Sequence, residues 1–186
     1  MTDTLLPRWS VADVHESFTS RSFTDAMERT GANVARLEAQ FEENNIRAGA
    51  PHKPSAQEGE IANKIITSMN ETIKESEILG SYVYATVSTN TREETAQSLL
   101  SELEVIDSRL SPLLARFADW VATLGADDLA KVSEVAREHL GPLQRLQARA
   151  EHQMSEVEEG FYAELSTTGS SAWSRLQGDI TSQLTT

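Results

Sequence analysis

Cysteine is absent from the sequence, and proline, glycine, aromatic residues and long apolar runs are all scarce. Without cysteine the chain can form neither disulfides nor zinc–thiolate sites, and it has no thiolate nucleophile. Five prolines and nine glycines in 186 residues leave room for long uninterrupted helices. No apolar run approaches the roughly 20 residues that a membrane-spanning helix needs. We therefore expect no membrane partner.

Positive charge is also in short supply, since 16 Lys and Arg residues stand against 29 Asp and Glu residues. The formal net charge of −13 opposes binding to phosphate backbones, so no nucleic-acid partner is expected. We interpret the acidity as a soluble, self-repelling surface, with an acidic docking face as the alternative. The first residues lack a basic start followed by a long apolar run, so we expect no signal peptide and a cytoplasmic location.

The stretch from Glu93 to Leu124 has the strongest periodic pattern in the sequence. Its apolar residues recur at steps of one, three or four, which predicts one long amphipathic helix. Thr91 and Glu94 form a capping-box signal at its start, and Gly125 can end it. Pro112 falls in the middle, so we predict a kink there. The apolar residues are Ala96, Leu99, Leu100, Leu103, Ile106, Leu110, Leu113, Leu114, Phe117, Val121 and Leu124.

Six other segments show a helical period or a helix start signal, and no segment alternates long enough to predict a strand. Two of them are long, about 22–45 and about 55–87, and a loop rich in proline joins them. The four short ones are about 127–139, 142–151, 155–166 and 171–183. The sequence therefore predicts an all-α bundle of about seven helices, three of them long. Residues 1–20 are predicted to be an N-terminal arm and residues 21–186 a helical domain.

Each predicted helix start depends on a residue that can cap backbone N–H groups. The predicted caps are Ser22 with Asp25, Ser55 with Glu58, Asp127 or Asp128, Pro142 at a first position, and Ser155 with Glu158. Gly80 lies inside the second helix, where glycine costs about 1 kcal/mol relative to alanine. We interpret Gly80 as a site of close helix packing.

None of the four histidines belongs to a zinc-binding or di-iron motif. The sequence has neither H-E-x-x-H nor the Glu-x-x-His of di-iron bundles. Each histidine is therefore interpreted as a surface or capping residue. These are His15, His52, His139 and His152.

No other constellation of catalytic residues is found in the sequence. Adjacent carboxylates such as Glu42 and Glu43 point about 100° apart on a helix and fit a solvated face. Arg145 and Arg149 are one turn apart and could hold an anion, although a surface charge pair is the commoner arrangement. The tryptophans are interpreted as core anchors; they are Trp9, Trp120 and Trp173. We predict no catalytic, cofactor-binding or metal-binding residue in this chain.

Two stretches resemble one known family. The closing stretch from His152 to Leu176 reads His-Gln-Met-Ser-Glu-Val-Glu-Glu-Gly-Phe-Tyr-Ala-Glu-Leu-Ser-Thr-Thr-Gly-Ser-Ser-Ala-Trp-Ser-Arg-Leu. It resembles the His-x-Leu-Ser-x-x-x-Glu-x-Leu-Leu-x-x-Leu-Ser-x-x-Gly-x-x-Ala-Trp-x-x-Leu segment of bacterial oligoendopeptidase F-like zinc metallopeptidases, in the thimet oligopeptidase-like clan. The opening Leu6-Pro-Arg-Trp-Ser-Val-Ala-Asp-Val14 resembles their Leu-Pro-x-Trp-[Asp/Asn]-Leu-x-Asp-Leu start. Leu79-Gly80-Ser81-Tyr82 and Asn90-Thr91 resemble a helix end and turn of the same family.

The chain departs from the family pattern at a few positions and in one large respect. Ser10 and Val14 stand where Asp and Leu are usual, Met154 replaces a Leu, and Phe161-Tyr162 replaces an aliphatic pair. The family places its H-E-x-x-H zinc helix well downstream, beyond Thr186. The resemblance therefore implies an N-terminal, non-catalytic domain that forms part of the wall of a channel for short peptides.

The resemblance also implies partners and cofactors. We expect no cofactor in this chain and zinc in the missing catalytic domain, so the chain alone should hydrolyse nothing. The expected partners are the missing catalytic half, short peptides in the full-length enzyme, and further copies of this fragment through exposed apolar surface. The alternative is a free-standing helical protein-interaction module with an apolar groove. An in-frame H-E-x-x-H after Thr186 would favour the peptidase, and a native stop codon the module.

Overall fold

Seven helices and no strand are found in the part of the chain that the computed structural model describes, which is residues 10–90, 92–150, 161, 162, 165, 166 and 168–183. This confirms the predicted all-α fold with three long helices. The long helices are α1 (Arg21–Glu43), α2 (Ala56–Thr89) and α3 (Glu94–Leu124). The short ones are α4 (Ala126–Val132), α5 (Glu134–Glu138), α6 (Leu140–Ala150) and α7 (Ser170–Gln183).

The three long helices pack together and bury most of the apolar stripes that the sequence predicts. Leu114 of the predicted α3 stripe is an exception, because it is 39% exposed. The buried side chains of the three helices form one core, because the apolar face of a helix is shielded from water only when it packs against another apolar face. Helices α4, α5 and α6 close this core by packing against α2 and α3. Its largest fully buried residues are Phe23, Phe41, Leu37, Ile46, Ile65, Leu79, Leu103 and Leu129.

Two of the predicted helix starts can be compared directly with the structure. Ser55 accepts from the backbone N–H of Glu58 at 3.2 Å, and the Glu58 carboxylate accepts from the backbone N–H of Ser55 at 2.7 Å. This confirms the predicted capping box. The predicted cap at Ser22 is wrong, because α1 begins at Arg21 and its N-cap is Ser20, two residues earlier.

The start of α3 differs from the predicted capping box at Thr91, a residue that lies outside the described part of the chain. The N-cap is Glu93, whose carboxylate accepts from the backbone N–H of Ala96. The predicted end is confirmed, since Gly125 has a φ of 77° and donates to the carbonyl of Val121 at 2.8 Å. Helix α3 continues through Pro112, and the kink there stays a prediction.

The predicted helix over 127–139 is wrong as a single element. It is interrupted at Ser133, whose extended backbone separates α4 from α5. The predicted aspartate cap is also wrong, because Gly125 is the N-cap of α4. Helix α6 begins at Leu140, so Pro142 is its third residue and not its first.

Glycine supports close packing at a different position from the predicted one. No atom lies within 4 Å of the place where a Cβ on Gly80 would be, so the packing role predicted there is wrong. A Cβ on Gly59 would overlap the backbone carbonyl of Val132. The close approach in this fold is therefore that of α2 to the end of α4.

The described residues of the predicted arm, 10–20, contain turns and no regular helix. Val14 donates to the carbonyl of Val11 at 3.0 Å, which forms a single turn after Ser10. Trp9, His152 and the predicted cap at Ser155 and Glu158 lie outside the described residues. Within the described part of the chain, no helix combines the length and the hydropathy that crossing a bilayer requires.

Candidate docking surface

Large apolar side chains are exposed mainly near the end of the described chain. Six of the twelve that the described residues expose lie between positions 161 and 180. Monomeric proteins rarely leave such side chains grouped in water, and grouped exposure marks interaction sites. We call this set the C-terminal apolar surface; it consists of Phe161, Tyr162, Leu165, Trp173, Leu176 and Ile180.

Helix α7 presents three of these residues on one side. Trp173, Leu176 and Ile180 follow one another at steps of three and four, so they form one stripe. The stripe is not covered, because α7 does not pack against any of α1 to α6 in the described part of the chain. Trp173 is 70% exposed, so its predicted role as a core anchor is wrong here, whereas that of Trp120, at 5%, is confirmed.

A groove of about 930 Å³ separates α7 from the bundle. One wall comes from the end of α2 and the start of α3, including Tyr84, Val87 and Leu100. The other wall is α7 itself, with Ser174 and Arg175. Tyr84 is 61% exposed, so the bundle wall of this groove carries an exposed aromatic ring. The residues of the C-terminal apolar surface are not among those that line the groove.

Charge is sparse along α7. Its fourteen residues include one cation, Arg175, and one anion, Asp179. The rest of the chain is strongly acidic. A nearly neutral helix with an apolar stripe can be covered without desolvating many charges, and interface cores are likewise depleted in charged residues.

The histidines do not converge in the described part of the chain. His15 is buried, so its interpretation as a surface or capping residue is wrong. Its ring lies edge-on to Phe23 and Tyr82, with centroids 5.5 and 5.0 Å away. Its Nδ1 is 3.0 Å from the Ser22 hydroxyl. Burial lowers the pKa of His15, and the charge of Arg29 lowers it further.

His52 and His139 remain near the surface, as predicted. His52 donates to the carboxylate of Glu58 at 2.8 Å and to the carbonyl of Ala50 at 3.1 Å. These hydrogen bonds raise the pKa of His52, and the one to Glu58 contributes most. His139 Nδ1 donates to the carbonyl of Val135 at 2.9 Å.

The described residues do not fit a zinc site, because they contain no group of three or more His, Asp or Glu side chains that could hold a metal ion together. Arg145 and Arg149 are both exposed on α6, in keeping with the surface interpretation. The acidic pair Glu42 and Glu43 is likewise exposed, or nearly so, at the end of α1.

The all-α fold and the exposed apolar stripe on α7 define a helical domain with an uncovered packing surface near its C-terminal end. Residues 127–185 match the model of a family described as Oligopeptidase F, in its N-terminal part. The match confirms the resemblance over these residues and supports an N-terminal region of an oligoendopeptidase F-like peptidase. The matched residues are about a third of the chain. No curated protein and no solved structure matches it.

Proposed function

We propose that this helical region braces the catalytic part of an oligoendopeptidase F-like peptidase and forms part of the wall of its peptide channel. The catalytic part packs on the C-terminal apolar surface. The chain alone hydrolyses nothing, because the reacting groups belong to the catalytic part. A cytoplasmic location and short-peptide substrates are predictions that follow from the same resemblance.

One observation carries the proposal: the segment that matches the family divides into a buried and an exposed half. In α4, α5 and α6 the apolar residues Leu129, Ala136 and Leu143 are buried in the bundle. In α7 the residues Trp173 and Ile180 are exposed. Fully burying an exposed large apolar side chain stabilises by roughly 1.5–3 kcal/mol. A second folded part that covers α7 therefore gains a substantial free energy of association.

We assign zinc binding to the catalytic part of the peptidase and not to this chain. The resemblance places H-E-x-x-H, the zinc-binding motif of such a peptidase, in the catalytic part, and this sequence does not contain that motif. In the proposed role, the helices of this chain supply positioning and steric exclusion, and the chemistry takes place on residues of the catalytic part.

Complementation with a catalytic region tests the proposal. The chain is mixed with a separately produced catalytic region of an oligoendopeptidase F-like peptidase that contains H-E-x-x-H, and the turnover of an internally quenched oligopeptide is followed. We expect neither this chain nor metal-free mixtures to cleave the peptide, and the zinc-loaded mixture to cleave it. Replacing Trp173, Leu176 and Ile180 together with serine should weaken the association by roughly 1,000-fold or more, since three apolar contacts of about 1.5 kcal/mol or more each are lost.

A matched control replaces three exposed apolar residues elsewhere, Val14, Ile78 and Leu114, with serine. This variant should associate like the unmodified chain. Chelator-sensitive cleavage by the chain alone would contradict the absence of hydrolysis. Equal association of both triple variants would contradict the docking surface. Failure of the unmodified chain to associate would overturn the proposal and favour the free-standing interaction module.

A further inference from the structure

A second groove, between α1 and α3, uses no residue of the C-terminal apolar surface. Its volume is about 580 Å³, and residues 24–31 of α1 and 99–106 of α3 form its two walls. Phe18, from the segment that precedes α1, also lines it. We call it the α1–α3 groove; its apolar lining is Phe18, Phe23, Met27, Leu99, Val105 and Ile106.

The α1–α3 groove is open because one wall lacks a side chain. Gly31 lies on the α1 wall, and a Cβ there would meet no atom within 4 Å. On the opposite wall Val105 is 63% exposed, although a β-branched apolar residue gains by burial. The groove can therefore take an apolar side chain from outside without any movement of the helices.

The rim of the groove is acidic. Glu28 on α1 and Glu102 on α3 line it, both are exposed, and neither forms an ion pair within the described residues. No Lys, Arg or His among the described residues lines the groove. Two arginines of the same helices are paired elsewhere, since Arg29 on α1 bonds to Glu75 and Arg109 on α3 bonds to Glu38. The two rim carboxylates thus face water without a compensating cation.

We propose that the α1–α3 groove docks a short amphipathic helix of a partner protein that carries Lys or Arg beside its apolar residues. The apolar side chains fill the space above Gly31 and against Val105, and the cations meet Glu28 and Glu102. Each wall is eight residues long, about 12 Å at 1.5 Å per residue, which matches two to three helical turns. Charge complementarity of this kind speeds association and rejects acidic competitors.

The probe is a synthetic peptide of about 14 residues, long enough for about four turns, with leucines at helical spacing and lysines beside them. Binding to the full chain is measured by calorimetry. The comparison peptide has glutamate in place of every lysine. We expect only the lysine peptide to bind, with an affinity that falls as sodium chloride is raised, since the rim charges are exposed to screening.

Three variants locate the binding site. Neutralising the rim with Glu28→Gln and Glu102→Gln should weaken binding about ten-fold. Filling the groove with Gly31→Leu should abolish it while the fold is kept, because the new side chain meets open space. The matched control neutralises two exposed glutamates outside the groove, Glu43→Gln and Glu60→Gln, and should bind like the unmodified chain.

Several results would overturn this proposal while leaving the proposed peptidase role intact. Equal binding of the glutamate peptide would show that charge plays no part. Equal loss in the rim variant and its control would show attraction to the whole acidic surface and no site. Loss of binding in the Trp173, Leu176 and Ile180 serine variant alone would move the site to α7. Dissociation of a dimer by Gly31→Leu, seen by light scattering, would show a second copy of this chain as the occupant.

Discussion

Gly59 lets α2 pass the end of α4 more closely than any side chain would allow. A Cβ at this position would overlap the carbonyl oxygen of Val132, which is backbone and cannot rotate away. We expect Gly59→Ala to lower the free energy of unfolding by about 1–3 kcal/mol, as overpacking does. Gly80→Ala, in open space on the same helix, should raise it by about 0.5–1 kcal/mol. Urea denaturation of both variants measures this, and equal stabilities would contradict the close approach.

His15 and His52 give stability opposite pH dependences. Burial lowers the folded-state pKa of His15 below 6.5, so in the unfolded chain this histidine binds protons more readily. The contribution of His15 to the free energy of unfolding is therefore lost as the pH falls through the folded-state pKa. The hydrogen bond to Glu58 raises the folded-state pKa of His52, so its contribution is present below pH 6.5 and lost as the pH rises through the folded pKa. We expect His15→Gln to reduce, and His52→Gln to increase, the stability lost on acidification from about pH 7.5 to 5.5.

Denaturation midpoints taken at several pH values measure these slopes, and the difference between pH values separates titration from any packing loss. A His15 variant with the slope of the unmodified chain would show that the buried ring does not titrate in this range. The same slope in the His52 variant would show that its bond to Glu58 is not maintained in solution.

At the scale of elements, Ser133 joins the α4–α5 junction to α2. Its hydroxyl donates to the side-chain oxygen of Asn63 at 2.7 Å and accepts from the backbone N–H of Ala136 at 2.9 Å. The same Asn63 oxygen accepts from the backbone N–H of Val135 at 3.1 Å. Because Ser133 is 1% exposed, water cannot replace these bonds. They fix the place where the chain turns from α4 into α5.

We expect Ser133→Ala to lower the free energy of unfolding by about 1–3 kcal/mol, since it removes a cap and a buried bond. Ser55→Ala, at the exposed capping box, should cost about 1 kcal/mol. A cycle with Asn63→Ala should show a coupling of about 0.5–3 kcal/mol with Ser133. Additive effects of the two changes would contradict the network.

At the scale of the whole molecule, the described residues form a bundle of α1 to α6, which shares one core, and a helix, α7, whose apolar stripe no other described helix covers. The net charge of −13 opposes association of two copies, but that repulsion is screened by salt while apolar attraction is not. We expect the isolated chain to self-associate more as sodium chloride is raised, and the Trp173, Leu176 and Ile180 serine variant to stay monomeric. Light scattering over a concentration series measures both. A monomeric unmodified chain at high salt would contradict this.

The sequence by itself determined the helices and most of the core. Residues such as Phe41, Ile65 and Leu103 recur with the helical period, and a stripe of that period has to be buried to leave water. The Ser55 capping box and Gly125 at the end of α3 are local features, so local rules predict them. The resemblance to oligoendopeptidase F-like peptidases also depends only on the order of residues along the chain. The family match over residues 127–185 confirms it there.

Only the tertiary structure decided which of these side chains are buried and which are exposed, because burial depends on the helices that pack against each residue. His15 and Trp173 reversed their predicted places, since rings from α1 and α2 enclose the histidine and no helix in the described part of the chain covers the tryptophan. The break at Ser133 depends on Asn63, which lies 70 positions away. Gly59 and Gly80 are alike in sequence terms, and only the packing of α4 against α2 separates a required glycine from a replaceable one.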